Sequence, residues 1–184
     1  SGEFIFGHRG GVVDMYGHNL TLNAITHLDS GAVFANYLGN STVTLTFTGS
    51  GEQTFLGALR DGEAASRGLM NVVYAPGTAE GSVWNLAGHI LNTGTWTVQG
   101  GEVKVAGVYT LHAGGYVDEN DWQMASFSTG TVQVNSGARF TTGGHSLVVS
   151  AVQVDDGGTY GVLAGGDHSG NVVLSGAASM LRAE

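Results

Sequence analysis

"TGTVQVNSGARFTT" (Thr129 to Thr142) is answered a little further on by "VSAVQVDDGGTYGVL" (Val149 to Leu163). Val132 and Val134 of the first phrase recur as Val152 and Val154, and another step of 20 residues lands on Val172 and Leu174. Within each phrase apolar and polar residues alternate, which buries one face of a short strand. Each strand then runs into turn residues, Asn135-Ser136-Gly137 or Asp155-Asp156-Gly157-Gly158, which tolerate positive φ at little steric cost. A coil of about 20 residues holds three short strands and three turns, and such coils stack at the ~4.8 Å strand spacing. The fold class expected is therefore all-β: a right-handed, single-stranded parallel β-helix. The runner-up, an antiparallel sandwich, rarely repeats one phrase at a fixed register.

The same grammar runs outward from this pair. "TGTWTVQGGEVKVA" (Thr93 to Ala106) lies 36 residues before the first phrase, a step that reads as one coil plus a loop. Thr42-Val43-Thr44-Leu45-Thr46-Phe47-Thr48 is the clearest strand, with Val43, Leu45 and Phe47 facing in and the threonines facing out. Gly100-Gly101, Gly143-Gly144 and Gly165-Gly166 punctuate the rest. The alternation fails in two places, Arg60 to Pro76 and His112 to Phe127, which are expected to be irregular loops on a single segment spanning 1–184. About nine coils would make a rod ~43 Å long. No 3.6-residue apolar stripe is found.

Composition narrows the function classes. The 184 residues include 32 Gly, a single Pro (Pro76) and no Cys, and 42% are hydrophobic, which excludes both collagen and a disordered chain. Without Cys there are neither disulfides nor thiolate metal sites. Fifteen acidic against six basic residues give a net charge of −9, so nucleic acid and anionic membrane surfaces are poor partners. No apolar run is long enough to span a bilayer as a helix. The chain does not begin with Met, and a fragment of a longer protein is expected.

Residues with chemical potential are sparse. There is no G-x-S-x-G and no H-E-x-x-H, and His8, His18, His27, His89, His112, His145 and His168 are scattered, so neither a catalytic site nor a metal site is expected, and no cofactor. Asp118, Glu119 and Asp121 offer hard oxygen ligands, but a solvated acidic loop accounts for them. With Tyr116 and Trp122 they form the expected contact patch for a partner, because aromatic residues beside charges in a loop suit an interface. Asp155-Asp156 reads as a turn. His8-Arg9-Gly10-Gly11 reads as a structural turn, with anion binding as the alternative. Trp96 alternates within a strand and is expected in the core.

One stretch carries a more specific pattern: Phe6-Gly7-His8-Arg9-Gly10-Gly11, Asp14, Gly17-His18-Asn19-Leu20-Thr21, Ile25, Asp29-Ser30-Gly31-Ala32, Asn36 and Ser41-Thr42-Val43-Thr44. It resembles the immunoglobulin A protease and adhesion-and-penetration group of serine protease autotransporters. Members of that group carry an N-terminal chymotrypsin-like protease, a β-helical passenger stalk and a C-terminal outer-membrane barrel. The resemblance implies a stalk segment, secreted or at the bacterial cell surface, whose first partner is the rest of its own chain. The nucleophile signature "GDSGS" is missing, so no catalytic residue is carried over. A non-catalytic stalk that presents the protease and supports export is the leading expectation. Adhesion, through self-association or host surface proteins, is the alternative, and a polysaccharide-cleaving enzyme is the third reading.

Overall fold

The computed structural model describes residues 2–7, 9–26, 31–62, 68–105, 127–142, 147–162 and 168–183. The strands lie on three faces, and all strand pairs are parallel. The first face stacks β1 (Gly2–Ile5), β3 (Leu20–Thr26), β5 (Thr42–Phe47), β8 (Leu69–Tyr74) and β11 (Thr95–Val98), then the second halves of β13 (Phe127–Val134), β15 (Leu147–Val154) and β17 (His168–Leu174). The second face stacks β6 (Glu52–Phe55), β9 (Val83–Leu86), β12 (Glu102–Val105), β14 (Arg139–Thr142), β16 (Thr159–Val162) and β18 (Met180–Ala183). The third stacks β2 (Gly11–Asp14), β4 (Ala32–Asn36), β7 (Ala58–Asp61) and β10 (His89–Leu91), then the first halves of β13, β15 and β17.

The repeated phrases meet as their spacing requires. Val132 pairs with Val152 and Val134 with Val154, and these pair in turn with Val172 and Leu174. Across the 36-residue step, Trp96 pairs with Val132 and Val98 with Val134. The 20-residue coil holds in this C-terminal part, but the middle coils are longer. Leu20 pairs with Leu45, Leu45 with Val72 and Val72 with Trp96, steps of 25, 27 and 24 residues. The added length sits in the corners, where it leaves strand pairing untouched. The first face has eight strands among the described residues, against about nine coils expected, and stands about 34 Å tall at ~4.8 Å per step.

One expected loop is corrected. Within 60–76, Arg60 and Asp61 complete β7, and Leu69–Tyr74 is a regular strand of the first face. Met70, Val72 and Tyr74 are buried there, while Leu69 and Val73 face outward. Two apolar residues on the solvent side erased the alternation that would have revealed the strand. Of the second expected loop, 112–127, residues 112–126 lie outside the described residues, and Phe127 begins β13.

The core is a set of vertical ladders. Val43, Leu45 and Phe47 are buried as expected, and so is Trp96. Aromatic rings join coil to coil: Phe47 lies 4.6 Å from Trp84, and Trp84 lies 5.7 Å from both Tyr74 and Trp96. A second group, Phe4, Phe6, Phe34 and Phe55, fills the N-terminal coils, with Phe6 edge-on to Phe34 at 5.4 Å. Such pairs add to the burial of their area.

Glycine matters at two corners. The turn from first to second face takes positive φ at Gly101, Gly137 and Gly157, in the turn clusters read from the sequence. The turn from second to third face stacks Gly88 directly on Gly57, where a Cβ at Gly88 would collide with the Gly57 carbonyl oxygen.

Truncating the central ladder tests this packing. Trp96→Ala is expected to cost about 3–5 kcal/mol in denaturant unfolding. Thr97→Ala, on the outward side of the same strand, should stay within about 0.5 kcal/mol.

Candidate functional site

The corner from third to first face is where the structure concentrates buried polar chemistry. Asn36 ends β4, Asp61 ends β7 and Asn92 follows β10, and all three point inward and are buried. Asn36 pairs with Asp61 across adjacent coils, and Asn92 follows Leu91, the partner of Arg60. Thr129 continues the column in the next coil. The chain leaves its strand at this corner, which exposes backbone groups that the sheet no longer satisfies.

Each member of the column supplies what its corner lacks. Asn36 Nδ2 donates to Ser41 Oγ (3.0 Å) and to the Leu69 carbonyl (3.1 Å), while its Oδ1 accepts from the Gly17 amide (3.1 Å). Asp61 Oδ1 accepts from the Met70 amide (2.8 Å), and Oδ2 accepts from the Thr93 amide (2.8 Å) and hydroxyl (2.6 Å). Asn92 Nδ2 donates to the Met70 carbonyl (2.8 Å), and its Oδ1 receives the indole N–H of Trp96 (2.9 Å). Thr129 donates to the Gly94 carbonyl (2.9 Å). Asp61 thus ties its own coil to the next with both oxygens engaged, which suits bracing.

Above Thr129 the column turns apolar, because its partner in the next coil is Val149. There the third and first faces run together as one eight-residue strand, β13 or β15, with an irregularity in the pairing of β15 to β17 between Val148 and Ala151.

This column escaped the sequence reading, although a signal was present. "FAN" (34–36), "LRD" (59–61) and "ILN" (90–92) each close a short strand with a polar amide or acid. The partner-contact residues expected from sequence, Tyr116, Asp118, Glu119, Asp121 and Trp122, lie outside the described residues. Asp155-Asp156 forms the turn expected of it: the Asp155 carbonyl receives the Gly158 amide, and Asp156 Oδ1 caps the Ala178 amide at 2.8 Å. In the Arg9-Gly10-Gly11 turn, the Gly10 and Gly11 amides donate to the carbonyls of Gly7 and Gly31, so neither is offered to an anion.

Among the described residues no group of three or more His, Asp or Glu is placed to hold a metal ion. His168 is engaged: its Nδ1 lies 2.8 Å from the Tyr160 hydroxyl and its Nε2 lies 3.0 Å from the Gly170 carbonyl. The Tyr160 O–H therefore donates to Nδ1, and Nε2–H donates to Gly170. Burial pushes the Tyr160 phenol up to about 12, and that of Tyr74 likewise.

A rod of in-register parallel coils with a braced inner corner and aromatic ladders defines a parallel β-solenoid. Residues 68–169 match the family described as the PIC/HAP1/IgA0 second beta-solenoid repeat region, and the chain belongs to that family. The match lies wholly beyond the N-terminal stretch that carried the resemblance in sequence, so two parts of the chain point to one group. Two relatives are similar along most of the chain. An adhesion and penetration protein autotransporter of Haemophilus influenzae is 25% identical over 170 residues, covering 74% of this chain and 12% of its own length. Its counterpart in the Rd strain is 27% identical over 146 residues, covering 69% of this chain and 10% of its own. The chain thus spans about a tenth of the relatives it matches. No solved structure matches it. The chain is a segment of an autotransporter passenger, exported across the outer membrane to the cell surface or released.

Two outcomes test the site. Asp61→Asn places an N–H against a backbone amide that needs an acceptor, and should cost about 1–3 kcal/mol of stability. In the pH range between about 10 and 12 the unfolded chain releases tyrosine protons that the folded chain retains. The contribution of Tyr74 and Tyr160 is therefore fully present below pH 10 and is lost as pH rises towards 12. Denaturant titrations at stepped alkaline pH should show this loss, and Tyr160→Phe should reduce it, leaving the share of Tyr74.

Proposed function

We propose that this segment is a non-catalytic spacer in the passenger stalk, presenting an upstream serine protease domain and supporting export by stacking coil upon coil outside the cell. One observation supports the reading above the others. Val154 and Tyr160 are fully buried, yet their partners one coil further on, Leu174 and Leu181, are 46% and 53% exposed. A coil laid on β17 and β18 buries that surface and gives their strand edges partners, so each added coil is driven by the one before it. No step in this process needs a pocket or a reactive side chain.

A second reading, self-association, has its own support. On the first face, β3, β5, β8, β11 and the second halves of β13, β15 and β17 contain no charged residue at all. Their outward positions are mainly Thr, Asn, Gln and Val, such as Thr46, Val73, Thr97, Gln133 and Gln153 in one column. Two copies with a net charge of −9 can meet there without opposing like charges.

Deleting Thr131 to Ser150 from the full passenger removes one repeat and joins Gly130 to Ala151 in register. A spacer tolerates this: surface display and any proteolytic activity of the parent should be retained. Val132→Asp with Val134→Asp, which breaks the stack, should cut display severalfold. Loss of proteolysis in the properly displayed deletion variant, or cleavage of a peptide or polysaccharide by the segment alone, would refute the spacer reading. Dimers in concentration-dependent sedimentation would support self-association.

A further inference from the structure

The edge where the third face meets the first carries outward residues that the buried polar column does not use. Of the ten asparagines in the chain, two are followed at the second position by threonine with no proline between: Asn19-Leu20-Thr21 and Asn40-Ser41-Thr42. That is the acceptor pattern for an N-linked sugar on a surface loop of an exported protein. The fold brings the two patterns to one edge in consecutive coils. Asn19 closes the corner that leads from β2 into β3, and Asn40 lies in the corner that leads from β4 into β5. Hydrogen bonds stack these corners: the Gly17 amide donates to Asn36 Oδ1, the Tyr37 amide to Asp14 Oδ1 at 3.0 Å, and the Thr44 amide to Asn19 Oδ1 at 2.8 Å.

In both patterns the amide and the hydroxyl are open to solvent: Asn19, Thr21, Asn40 and Thr42 are all exposed. Other asparagines are committed to the fold. Asn36 and Asn92 are buried, Asn71 accepts from the Thr95 amide, and Asn85 donates to Glu52. Among the described residues, Asn19 uses only its oxygen and the Asn40 side chain makes no hydrogen bond, so neither Nδ2 is engaged. Asn40 takes a φ of 57°, a turn conformation that a glycine serves equally well. Its turn is held by Ser41 instead, whose hydroxyl donates to the Leu38 carbonyl at 2.6 Å and accepts from Asn36 Nδ2 at 3.0 Å. The corner therefore needs the backbone of Asn40 and leaves its amide unused.

We propose that this edge is a site of N-linked glycosylation, with Asn40 the principal acceptor and Asn19 the second. The donor is a sugar joined through its anomeric carbon to a diphosphate carrier, nucleotide or lipid, and a glycosyltransferase supplies the active site. Nδ2 forms a bond to the anomeric carbon while the bond from that carbon to the phosphate oxygen breaks. The diphosphate leaves with the electron pair, and one Nδ2 proton passes to a base of the transferase. The product keeps one N–H and the carbonyl oxygen, so Asn19 still accepts from the Thr44 amide once modified. The threonine hydroxyl is read together with the amide, and both stand on the open side of the corner. A sugar here projects from an edge of the rod, where it leaves strand pairing and the inner ladders untouched.

The test is mass spectrometry of the full passenger purified from the bacterium that makes it. Chymotrypsin cuts between the two sites, after Tyr37 or Leu38, so each asparagine is weighed on its own peptide. Both peptides should be heavier by whole hexose or aminohexose masses. Thr42→Ala should strip the sugar from Asn40 and spare Asn19, Thr42→Ser should keep both, and Thr21→Ala should strip Asn19 alone. These variants leave the asparagines in place, and thermal unfolding should show each folded, so a purely structural part for Asn40 does not predict the loss. Sugar on chains still in the cytosol identifies a nucleotide carrier and sugar on exported chains alone a lipid one; either supports the assignment. Sugar on Asn40 only supports that site and removes Asn19. Bare asparagines at both positions, sugar that persists on Asn40 in Thr42→Ala, or sugar carried only by serines and threonines would overturn the proposal.

Discussion

In-register parallel pairing between successive coils is the constraint from which the rest follows. A strand in this rod has no partner within its own coil, so its amides and carbonyls are satisfied only by the coils above and below. Each interior position then stacks on the same position of its neighbours, and a side chain must suit the residues it meets at ~4.8 Å as well as the core as a whole. The valine column through Val132, Val152 and Val172 and the aromatic group around Trp84 are two answers to that demand.

The corners show how the constraint is relaxed locally. Where the chain leaves the ladder between the third and first faces, Asn36, Asp61 and Asn92 replace the missing backbone partners with side-chain ones. In β15, where two faces join in one strand, Val149 stands at that position instead. The exchange obeys a general rule: a buried polar group is retained where a backbone group needs it, and otherwise costs more than an apolar one. Belonging to a passenger β-solenoid family is thus expressed at the level of single residues. Among the described residues the outward columns differ between the first face, whose strands from β3 onward carry no charged residue in that stack, and the second, which carries Glu52, Glu102, Lys104, Arg139 and Arg182.

Much of this architecture could be read from the sequence, and the failures have physical causes. The 20-residue step was visible because the last coils have no insertions, so equivalent valines stand at equal spacing. The middle coils hid their period, since corner residues lengthen the chain without moving the strands, and β8 hid its alternation behind Leu69 and Val73. Trp84 was not assigned to the core, although Val83-Trp84-Asn85-Leu86 alternates. The polar corner column was missed because Asn and Asp at a strand end read as ordinary turn residues; their inward direction depends on register, which no single coil contains.

Coils of 20 and of 36 residues sit in the same stack with their strands in register. Chain length is thereby uncoupled from height. A corner can gain or lose a stretch of sequence while every rung above and below keeps its level, so the rod behaves as a ruler on whose edges decorations are exchanged independently. A lineage under pressure to vary what it displays can do so there without renegotiating the fold.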